Sequence, residues 1–184
     1  MSLFRGLSGR LLVVTIMVVM LVEVVIFVPS VARFRAAYLE ERIERAHLAT
    51  LAVLAAPNEM VTAEMERELL AGADVLNVVS HRDGRHALML SAEAVPPLAG
   101  THDLREAGSL DLIRDALTRM ATQSEGDVIR VIGVPRRGSE ALEIVVEAGP
   151  LRREMIAYGW RILQLSLVIS LITAAVVFAV IRLL

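Results

Sequence analysis

Two histidines lie at matching distances on either side of the dipeptide Asp83-Gly84, and their imidazole rings are suited to binding metals or protons. A two-residue hairpin turn at that dipeptide places His81 opposite His86, and directly opposed strand residues have Cβ atoms about 5 Å apart. Such a pair binds a divalent ion, or repels when both rings are protonated near a pH of about 6. Two ligands without a third are a weak metal signal, so we predict no metal site. Ligand or proton sensing and two solvated hairpin residues stay open as alternatives.

Polar residues inside two long apolar segments are a second candidate set. Glu23 is the one charged residue of segment 11–28, and Gln164 and Ser166 lie at a similar depth if segment 162–181 runs the opposite way. A carboxyl group within a membrane is costly and usually faces the interior of a helix bundle. We therefore predict that Glu23 hydrogen-bonds Gln164 or Ser166. The alternative is that Glu23 lies close enough to the interface for water to reach it.

A stripe of small residues lies on the second apolar segment. Ser166, Ser170 and Ala174 recur every fourth residue, which places them on one face of a helix. Small residues let membrane helices approach closely. We predict that Ser170 and Ala174 contribute to helix packing.

The two apolar segments are long enough to cross a bilayer. Segment 11–28 is eighteen residues with one charge, and segment 162–181 is twenty residues with none, in a chain that is 55% hydrophobic. At 1.5 Å per residue the second segment spans about 30 Å, the thickness of the hydrocarbon core. Ser30 and Ala32 offer small residues for signal-peptide cleavage, but the first run exceeds the roughly 7–15 residues of a signal core. We predict two transmembrane helices, the first an uncleaved anchor.

Charge and cysteine content exclude several function classes. The 184-residue chain has no cysteine, which excludes disulfide and thiolate chemistry. All nineteen basic residues are arginine, and the loop 29–161 has sixteen of them against twenty acidic residues, a net charge of −4. No basic stripe suited to nucleic acid is present, so we predict no nucleic-acid partner.

The loop is predicted to lie outside the cytoplasm, with tail 1–10 and residues 182–184 inside. Arginines are more numerous on the loop side of the first span than in the N-terminal tail, which opposes that orientation. The positive-inside rule weakens for long loops, which translocate largely regardless of charge.

The loop begins with a predicted long helix over residues 30–56, ended by Pro57. Apolar and small residues recur there in alternating steps of four and three, a heptad pattern. The members of this seam are Ala32, Ala36, Leu39, Ile43, Ala46, Thr50 and Val53. Two alternatives remain open: the seam packs on its own domain, or it pairs with a second copy in a parallel homodimer.

A small α/β core is predicted over residues 62–148. Its elements are a helix capped by Thr62 and stopped at Gly72, a hairpin about Asp83-Gly84, a loop, a helix capped by Ser109, and a second hairpin across "PRRGS". In the second helix Leu110, Ile113, Leu117 and Met120 are predicted to share the buried face. Pro150 opens a membrane-proximal helix, 150–161, with Tyr158 and Trp160 at the membrane interface. The predicted fold class is α+β, with two transmembrane helices flanking a small domain that has an antiparallel sheet of four strands.

This layout resembles the input half of two-component sensor histidine kinases of the alphaproteobacterial type. "EVVIFVPSVARFRAAYLEERIERA" (23–46) is similar to the end of their first span and the helix beyond it, and "GPLRREMIAYGWRILQLSLVISLITAAVV" (149–177) to their entry into the second span. The element order between them resembles their PAS-like extracytoplasmic fold, which has five strands. The motifs cover about a third of the chain, and the remainder matches only in element order.

The resemblance implies a periplasmic sensor domain in a homodimeric, multi-pass protein of the bacterial inner membrane, in contact with lipid. It implies that a cytoplasmic kinase follows Leu184, so we expect this chain to be a fragment. ATP and magnesium belong to that kinase, as does phosphorelay to a cognate response regulator, and no cofactor is expected in this chain. Other possibilities are the input region of a chemoreceptor or cyclic-dinucleotide enzyme, and a complete two-span accessory protein.

His102 lies in "THDLREAGSL", which is similar to the phospho-acceptor box of these kinases. The box continues with Thr or Asn and then Pro, whereas Glu106 and Ala107 follow Arg105 here. No serine–histidine–acid arrangement or phosphate-binding glycine loop is recognisable either. We predict no catalytic residue in this chain and interpret His102 as an exposed loop histidine.

Overall fold

The structure, a computed structural model, describes residues 7–57, 61–82, 85–92, 95–122, 126–138 and 140–183. These residues form four α-helices and five β-strands. In chain order the elements are α1 (Leu7–Leu54), α2 (Ala63–Ala73), β1 (Asn77–Arg82), β2 (Arg85–Ser91), β3 (Leu98–Asp103), α3 (Ser109–Ala121), β4 (Val128–Gly133), β5 (Ala141–Glu147) and α4 (Ala148–Leu183). The predicted α+β class is confirmed.

Helix α1 is 48 residues long and runs from the first apolar segment into the α/β domain. It passes through Pro29 and ends at Leu54, three residues before Pro57, and includes most of the predicted helix 30–56. The first apolar segment and the domain therefore share one continuous helix.

Two helices are long and apolar enough, by length and composition, to cross a membrane among the residues that the structure describes. They are Met17–Leu54 and Ala148–Thr173, in α1 and α4. Only 11% of each apolar window is buried within the chain, whereas the core helix of a soluble protein is mostly buried. Large apolar side chains such as Leu21 and Leu171 face outward with 65% and 62% exposure. These properties support a membrane protein.

The five strands form one mixed sheet in the order β2-β1-β5-β4-β3. Both predicted hairpins are present as antiparallel pairs, β1 with β2 and β4 with β5. The prediction of a purely antiparallel sheet of four strands is wrong, because β3 is a fifth strand and pairs parallel to β4. Helix α3 connects β3 to β4 and returns the chain to the end of the sheet at which β3 began. The two strands therefore run in the same direction.

The hydrophobic core lies between the sheet and the four helices. Each helix contributes buried residues to one continuous cluster with the strands, among them Leu39 of α1, Leu70 of α2, Ala116 of α3 and Leu151 of α4. The sheet contributes residues that alternate along β1, β4 and β5 and so share one face. These strand residues are Val78, Ile129, Val131, Leu142, Ile144 and Val146.

The heptad seam of α1 packs on its own domain. Six of its seven residues are buried in the single chain: Ala32, Leu39, Ile43, Ala46, Thr50 and Val53. Ala36 is half-buried. The structure thus selects the first of the two alternatives for the seam, and a homodimer needs another surface.

Helix α1 lies unusually close to β4 at Gly133. A Cβ atom on Gly133 would clash with Cδ1 of Ile43. Ile43 is itself buried, so little room exists for it to move. Glycine at this position allows α1 to contact the sheet directly.

The caps of α2 and α3 differ in detail from the sequence prediction. Thr62 caps α2 as predicted, its Oγ1 accepting the Met65 N–H at 3.3 Å. The helix ends at Ala73, one residue beyond Gly72, and its C-cap residue Asp74 has a left-handed φ of 57°. Gly108 rather than Ser109 is the N-cap of α3, and its N–H donates to the Asp111 carboxylate at 3.3 Å.

The predicted buried face of α3 is partly wrong. Leu110 and Leu117 are 80% and 44% exposed. Ile113 and Met120 pack against the core as predicted, together with Leu112 and the buried Ala116. The observed buried face is therefore rotated about the helix axis relative to the face that holds Leu110 and Leu117. Small and polar residues of α3 also face inward.

Strand β5 continues into α4 without a connecting loop. The strand ends at Glu147 and the helix begins at Ala148, two residues before the predicted start at Pro150. The Ala148 N–H donates to the carbonyl oxygen of Asp127 at 2.9 Å, which fixes the junction to the segment before β4. The central strand of the sheet and the second candidate span are thus one unbroken piece of chain.

Candidate functional site

His102 lies on β3, with its side chain at the end of a buried row of the sheet. The Cα partners across that row are Leu90, Val78, Ile144, Val131 and His102. The first four are apolar and at most 2% exposed, whereas the His102 side chain is 20% exposed. The interpretation of His102 as an exposed loop histidine is wrong, because the segment that holds it forms the edge strand.

The His102 ring contacts a carboxylate on α3. Its Nδ1 lies 2.8 Å from Oδ2 of Asp115, within hydrogen-bonding distance. A carboxylate only accepts, so Nδ1 of the neutral ring is the donor and Nε2 is left as the acceptor. Among the described residues no serine or threonine hydroxyl is hydrogen-bonded to this ring.

Arg35 of α1 shares the same carboxylate oxygen. Its Nη1 lies 3.8 Å from Oδ2 of Asp115, and its side chain is only 1% exposed. Its Nε and Nη2 are buried without a hydrogen-bond partner in the part of the chain that the structure describes. One carboxylate therefore holds a buried cation of α1 and a histidine of β3 at once. We refer to Arg35, His102 and Asp115 as the buried ion cluster.

A second ion pair lies beside the cluster. Arg119, one turn beyond Asp115 on α3, is 3.9 Å from the Asp127 carboxylate. Its positive charge lowers the pKa values of both Arg35 and His102. The neighbourhood is therefore rich in cations, and Asp115 is the carboxylate that offsets Arg35.

Burial shifts the pKa values of both basic members of the cluster downward. For Arg35 the main cause is loss of water, opposed by the Asp115 charge, yet a guanidinium stays protonated at any physiological pH. For His102 the pKa lies below its ordinary value because of burial first and the Arg35 charge second, and Asp115 acts against both. At pH 7 His102 is accordingly neutral.

The cluster adjoins the contact between α1 and α4. Phe34, next to Arg35 in sequence, stacks on Tyr158 with ring centroids 4.4 Å apart and planes at 14°. Further along the same helix, the Phe27 ring lies 3.2 Å from where a Cβ of Gly159 would stand. Tyr158 thus faces α1, whereas Trp160 is 62% exposed and has the outward orientation of an interfacial residue.

The loop between β4 and β5 makes another contact with α1. Arg136 of this loop pairs with Glu40 at 3.2 Å, and its backbone N–H donates to Glu44. In the single chain its partners are acids of α1, beside a cavity of about 380 Å³.

The histidine pair of the first hairpin has the predicted register. His81 and His86 are Cα partners, as are Arg82 and Arg85, next to an irregularity in the ladder between Ser80 and His81. The His81 and His86 side chains and the turn at Asp83-Gly84 lie outside the described residues. No group of three or more histidine and acidic side chains that could hold a metal occurs within the described parts of the chain. Ligand or proton sensing by the pair stays a prediction.

The intramembrane polar set is compatible with the helix packing but stays a prediction. Phe27, four residues after Glu23, lies against Gly159, five residues before Gln164. Glu23 and Ser166 are half-buried and Gln164 is exposed. Ser170 is also half-buried, and the side chain of Ala174 lies outside the described residues.

Sequence reasoning missed two members of the cluster, Arg35 and Asp115. Arg35 follows Ala32 by three residues and precedes Leu39 by four, which places its side chain on the apolar face of α1. An arginine on a buried helical face needs a carboxylate nearby, and that spacing was the available signal. Asp115 had no such signal, since its role depends on how α3 packs.

Comparisons with known proteins give no relatives. No family model matches the chain, and neither a curated protein nor a solved structure does. The features of the chain that bear on function are the two apolar helices, the junction of β5 with α4 and the buried ion cluster.

Proposed function

We propose that this chain is the signal-sensing and signal-transmitting region of a bacterial two-component sensor histidine kinase. Its α/β domain is periplasmic and PAS-like, and its two apolar helices cross the inner membrane. The five strands of the sheet agree with the number that the resemblance implies. In this proposal the chain forms a homodimer, and a kinase beyond Leu184 uses ATP and magnesium to phosphorylate a response regulator.

The observation that supports transmission best is the unbroken connection from the central strand to α4. Glu147 ends β5 and Ala148 begins the helix, and Leu151 and Met155 of that helix are fully buried in the domain core. Interiors are close-packed and transmit displacement rather than absorb it. A rearrangement of the sheet therefore displaces α4 along or about its axis, and the same helix continues into the second span.

Transmission requires two domain states that the cue binds with different affinity. Helix α1 packs on the sheet through its seam and on α4 through Phe34 and Phe27. Both spans thus meet the same domain, one at its start and one at its end. A change in how α1 packs on the sheet therefore changes the position of the two spans relative to each other.

The absence of cysteine permits a clean test of topology. We expect Arg137→Cys, an exposed loop position, to react with a membrane-impermeant maleimide in intact cells that express the full chain. Ser8→Cys, in the N-terminal tail, is expected to react only after the membrane is permeabilised. The wild-type chain, which has no thiol, is the control for background. Reversed labelling would place the domain in the cytoplasm and contradict a periplasmic sensor.

Transmission is tested by placing the chain ahead of the cytoplasmic part of a sensor histidine kinase that lacks its own input region. Since the cue is unidentified, the domain is perturbed from within by Asp115→Asn, which disrupts the buried ion cluster. We expect autophosphorylation of the fusion in lipid nanodiscs to change by a factor of about 5–10, a common size for coupling between linked sites. The fusions carry zero, one, two or three added residues after Leu184. Each length joins the kinase part to α4 at a different rotation about the helix axis, which we call a helical phase.

The exposed substitution Arg137→Gln, which leaves the cluster intact, is the matched control and is expected to leave autophosphorylation unchanged. Equal activity of the Asp115→Asn and unmodified fusions in every phase would contradict a transmitting role. It would favour the accessory-protein alternative, in which the domain acts without a cytoplasmic output.

A further inference from the structure

The buried ion cluster joins three elements through one oxygen atom. Oδ2 of Asp115 contacts His102 of β3 at 2.8 Å and Arg35 of α1 at 3.8 Å, and Asp115 itself belongs to α3. Any change in the charge of one partner therefore alters how the other two elements are held. Of the three side-chain types, only histidine has an ordinary pKa between 5 and 8.

Water reaches the titratable side of the cluster but not its fixed charge. His102 is 20% and Asp115 31% exposed, whereas Arg35 is 1% exposed. A proton from solvent has access to His102 without unfolding of the domain. The charge of Arg35, in contrast, cannot be hydrated while α1 packs against α3.

Protonation of His102 changes the electrostatic balance of the site. The charged groups that face the ring are Arg35 from α1 and Asp115 and Arg119 from α3, and the neighbouring strand β4 presents the apolar Val131. With neutral His102, Asp115 offsets Arg35. With protonated His102, two cations share one carboxylate, while Nε and Nη2 of Arg35 have no hydrogen-bond partner among the described residues.

We propose that the domain senses acidity, and that a proton on His102 draws the Asp115 carboxylate away from Arg35 and loosens the seating of α1 on α3. This inference rests on the proposed function, because it names the cue that the sensor region detects. Arg35 adjoins Phe34, whose ring stacks on Tyr158 of α4. Displacement of α1 is thus passed through that contact to α4, which contains the second span.

The pH range follows from the direction of the shift. The pKa of His102 in the folded domain lies below the ordinary value of about 6.5, because burial and Arg35 oppose its charge. Because its pKa is lowered in the folded domain, His102 binds more protons once α1 is loosened from α3. The state in which α1 packs on α3 is therefore most stable above about pH 6.5. That stability is lost as the pH falls from about 6.5 toward the folded-state pKa.

Hydrogen–deuterium exchange of the full chain in lipid nanodiscs measures the loosening. We expect amides of α3 and of the facing part of α1 to exchange about 5–10 times faster at pH 5 than at pH 7.5, after correction for the intrinsic rate at each pH. His102→Asn abolishes the difference, because its amide replaces Nδ1 as a donor to Asp115 but does not titrate. His102→Gln serves the same purpose if the first variant does not assemble.

The other histidines supply the matched controls. His47→Asn, on α1 outside the cluster, is expected to retain the acid response. The double variant His81→Asn/His86→Asn distinguishes the hairpin pair from the cluster, and it too is expected to respond like wild type. An acid response that survives His102→Asn, or that disappears with the hairpin pair, overturns the proposal. So does an α3 exchange rate that is independent of pH in the wild-type chain.

The kinase fusion separates failure of this inference from failure of the proposed function. Acid-dependent exchange in α3 together with unchanged autophosphorylation in every phase supports a proton switch and contradicts transmission to a kinase. Autophosphorylation that responds to Asp115→Asn but not to pH supports transmission and overturns proton sensing. We expect both to change, and the pH response alone to disappear with His102→Asn.

Discussion

Asp115→Asn is expected to reduce the free energy of unfolding of the domain by about 3–5 kcal/mol, the usual cost of leaving a buried charge without its partner. Arg35 is 1% exposed, and Asp115 is the carboxylate that it contacts among the described residues. Asparagine is nearly the same size and still accepts a hydrogen bond, so the packing of α3 hardly changes. The loss therefore reports charge rather than shape. Urea titration of the full chain in detergent micelles, read by pulse proteolysis, measures it.

A second substitution tests the cause of that loss. Arg35→Met removes the buried charge and fills a similar volume, and replacement of a buried ion pair by apolar residues is often neutral or stabilising. We expect Arg35→Met/Asp115→Asn to recover about 2 kcal/mol or more of the stability lost in Asp115→Asn alone. Additive losses in the double variant would show that Asp115 stabilises the domain by some other interaction.

Asp111→Asn is the matched control on the same helix. Asp111 is exposed, and its carboxylate accepts the N–H of Gly108 at the start of α3. Because asparagine also accepts this bond, the expected loss is about 1 kcal/mol or less. A loss as large as that of Asp115→Asn would indicate that any acid on α3 matters through the helix dipole rather than through Arg35.

The elements that sequence predicts well are those whose signal is local. The two hairpins follow from apolar or β-branched runs on either side of a turn, and Thr62 is followed by acids in the first turn of α2. The length of α1 follows from an uninterrupted pattern that ends before Pro57. Each of these depends on residues within a few positions of one another, so no knowledge of packing is needed.

Strand β3 and the buried ion cluster depend on long-range packing. Residues 98–103 follow Pro96-Pro97 and contain Gly100, a composition typical of a loop, and the segment becomes a strand because β4 offers an unpaired edge. His102 belongs to the sheet for the same reason. Arg35 and Asp115 are 80 residues apart in the chain, so their contact exists only once α1 and α3 pack together.

The two leucines that misled the prediction for α3 illustrate the same limit. Leu110 and Leu117 recur with the correct spacing for a buried face, yet both are exposed. The inward side of α3 instead includes Asp115 and Arg119, whose partners come from α1, β3 and the segment before β4. A polar residue whose partner is distant in sequence is indistinguishable from a solvated one in a local pattern, and the helix face was misassigned accordingly.

Glycine substitutions that make α4 flexible where it leaves the domain are expected to abolish the response of autophosphorylation, in the kinase fusion, to changes in the domain. Trp160 and Arg161 lie just beyond Gly159, the last described residue of this helix that is buried against α1. Both are exposed, so their replacement leaves the domain core intact. Trp160→Gly/Arg161→Gly introduces two residues that each cost a helix about 1 kcal/mol relative to alanine. A helix that bends there no longer transmits displacement of the domain to the span.

The matched variant Trp160→Ala/Arg161→Ala removes the same side chains but keeps a strong helix former at both positions. In the kinase fusion we expect the effect of Asp115→Asn on autophosphorylation, a factor of about 5–10, to persist in the alanine variant and to fall to nearly one in the glycine variant. If both variants lose the response, the Trp160 and Arg161 side chains, through contacts at the membrane surface, transmit the signal. If both keep it, displacement reaches the membrane through α1 instead, whose path runs from Arg35 past Phe34 and Phe27 to Glu23.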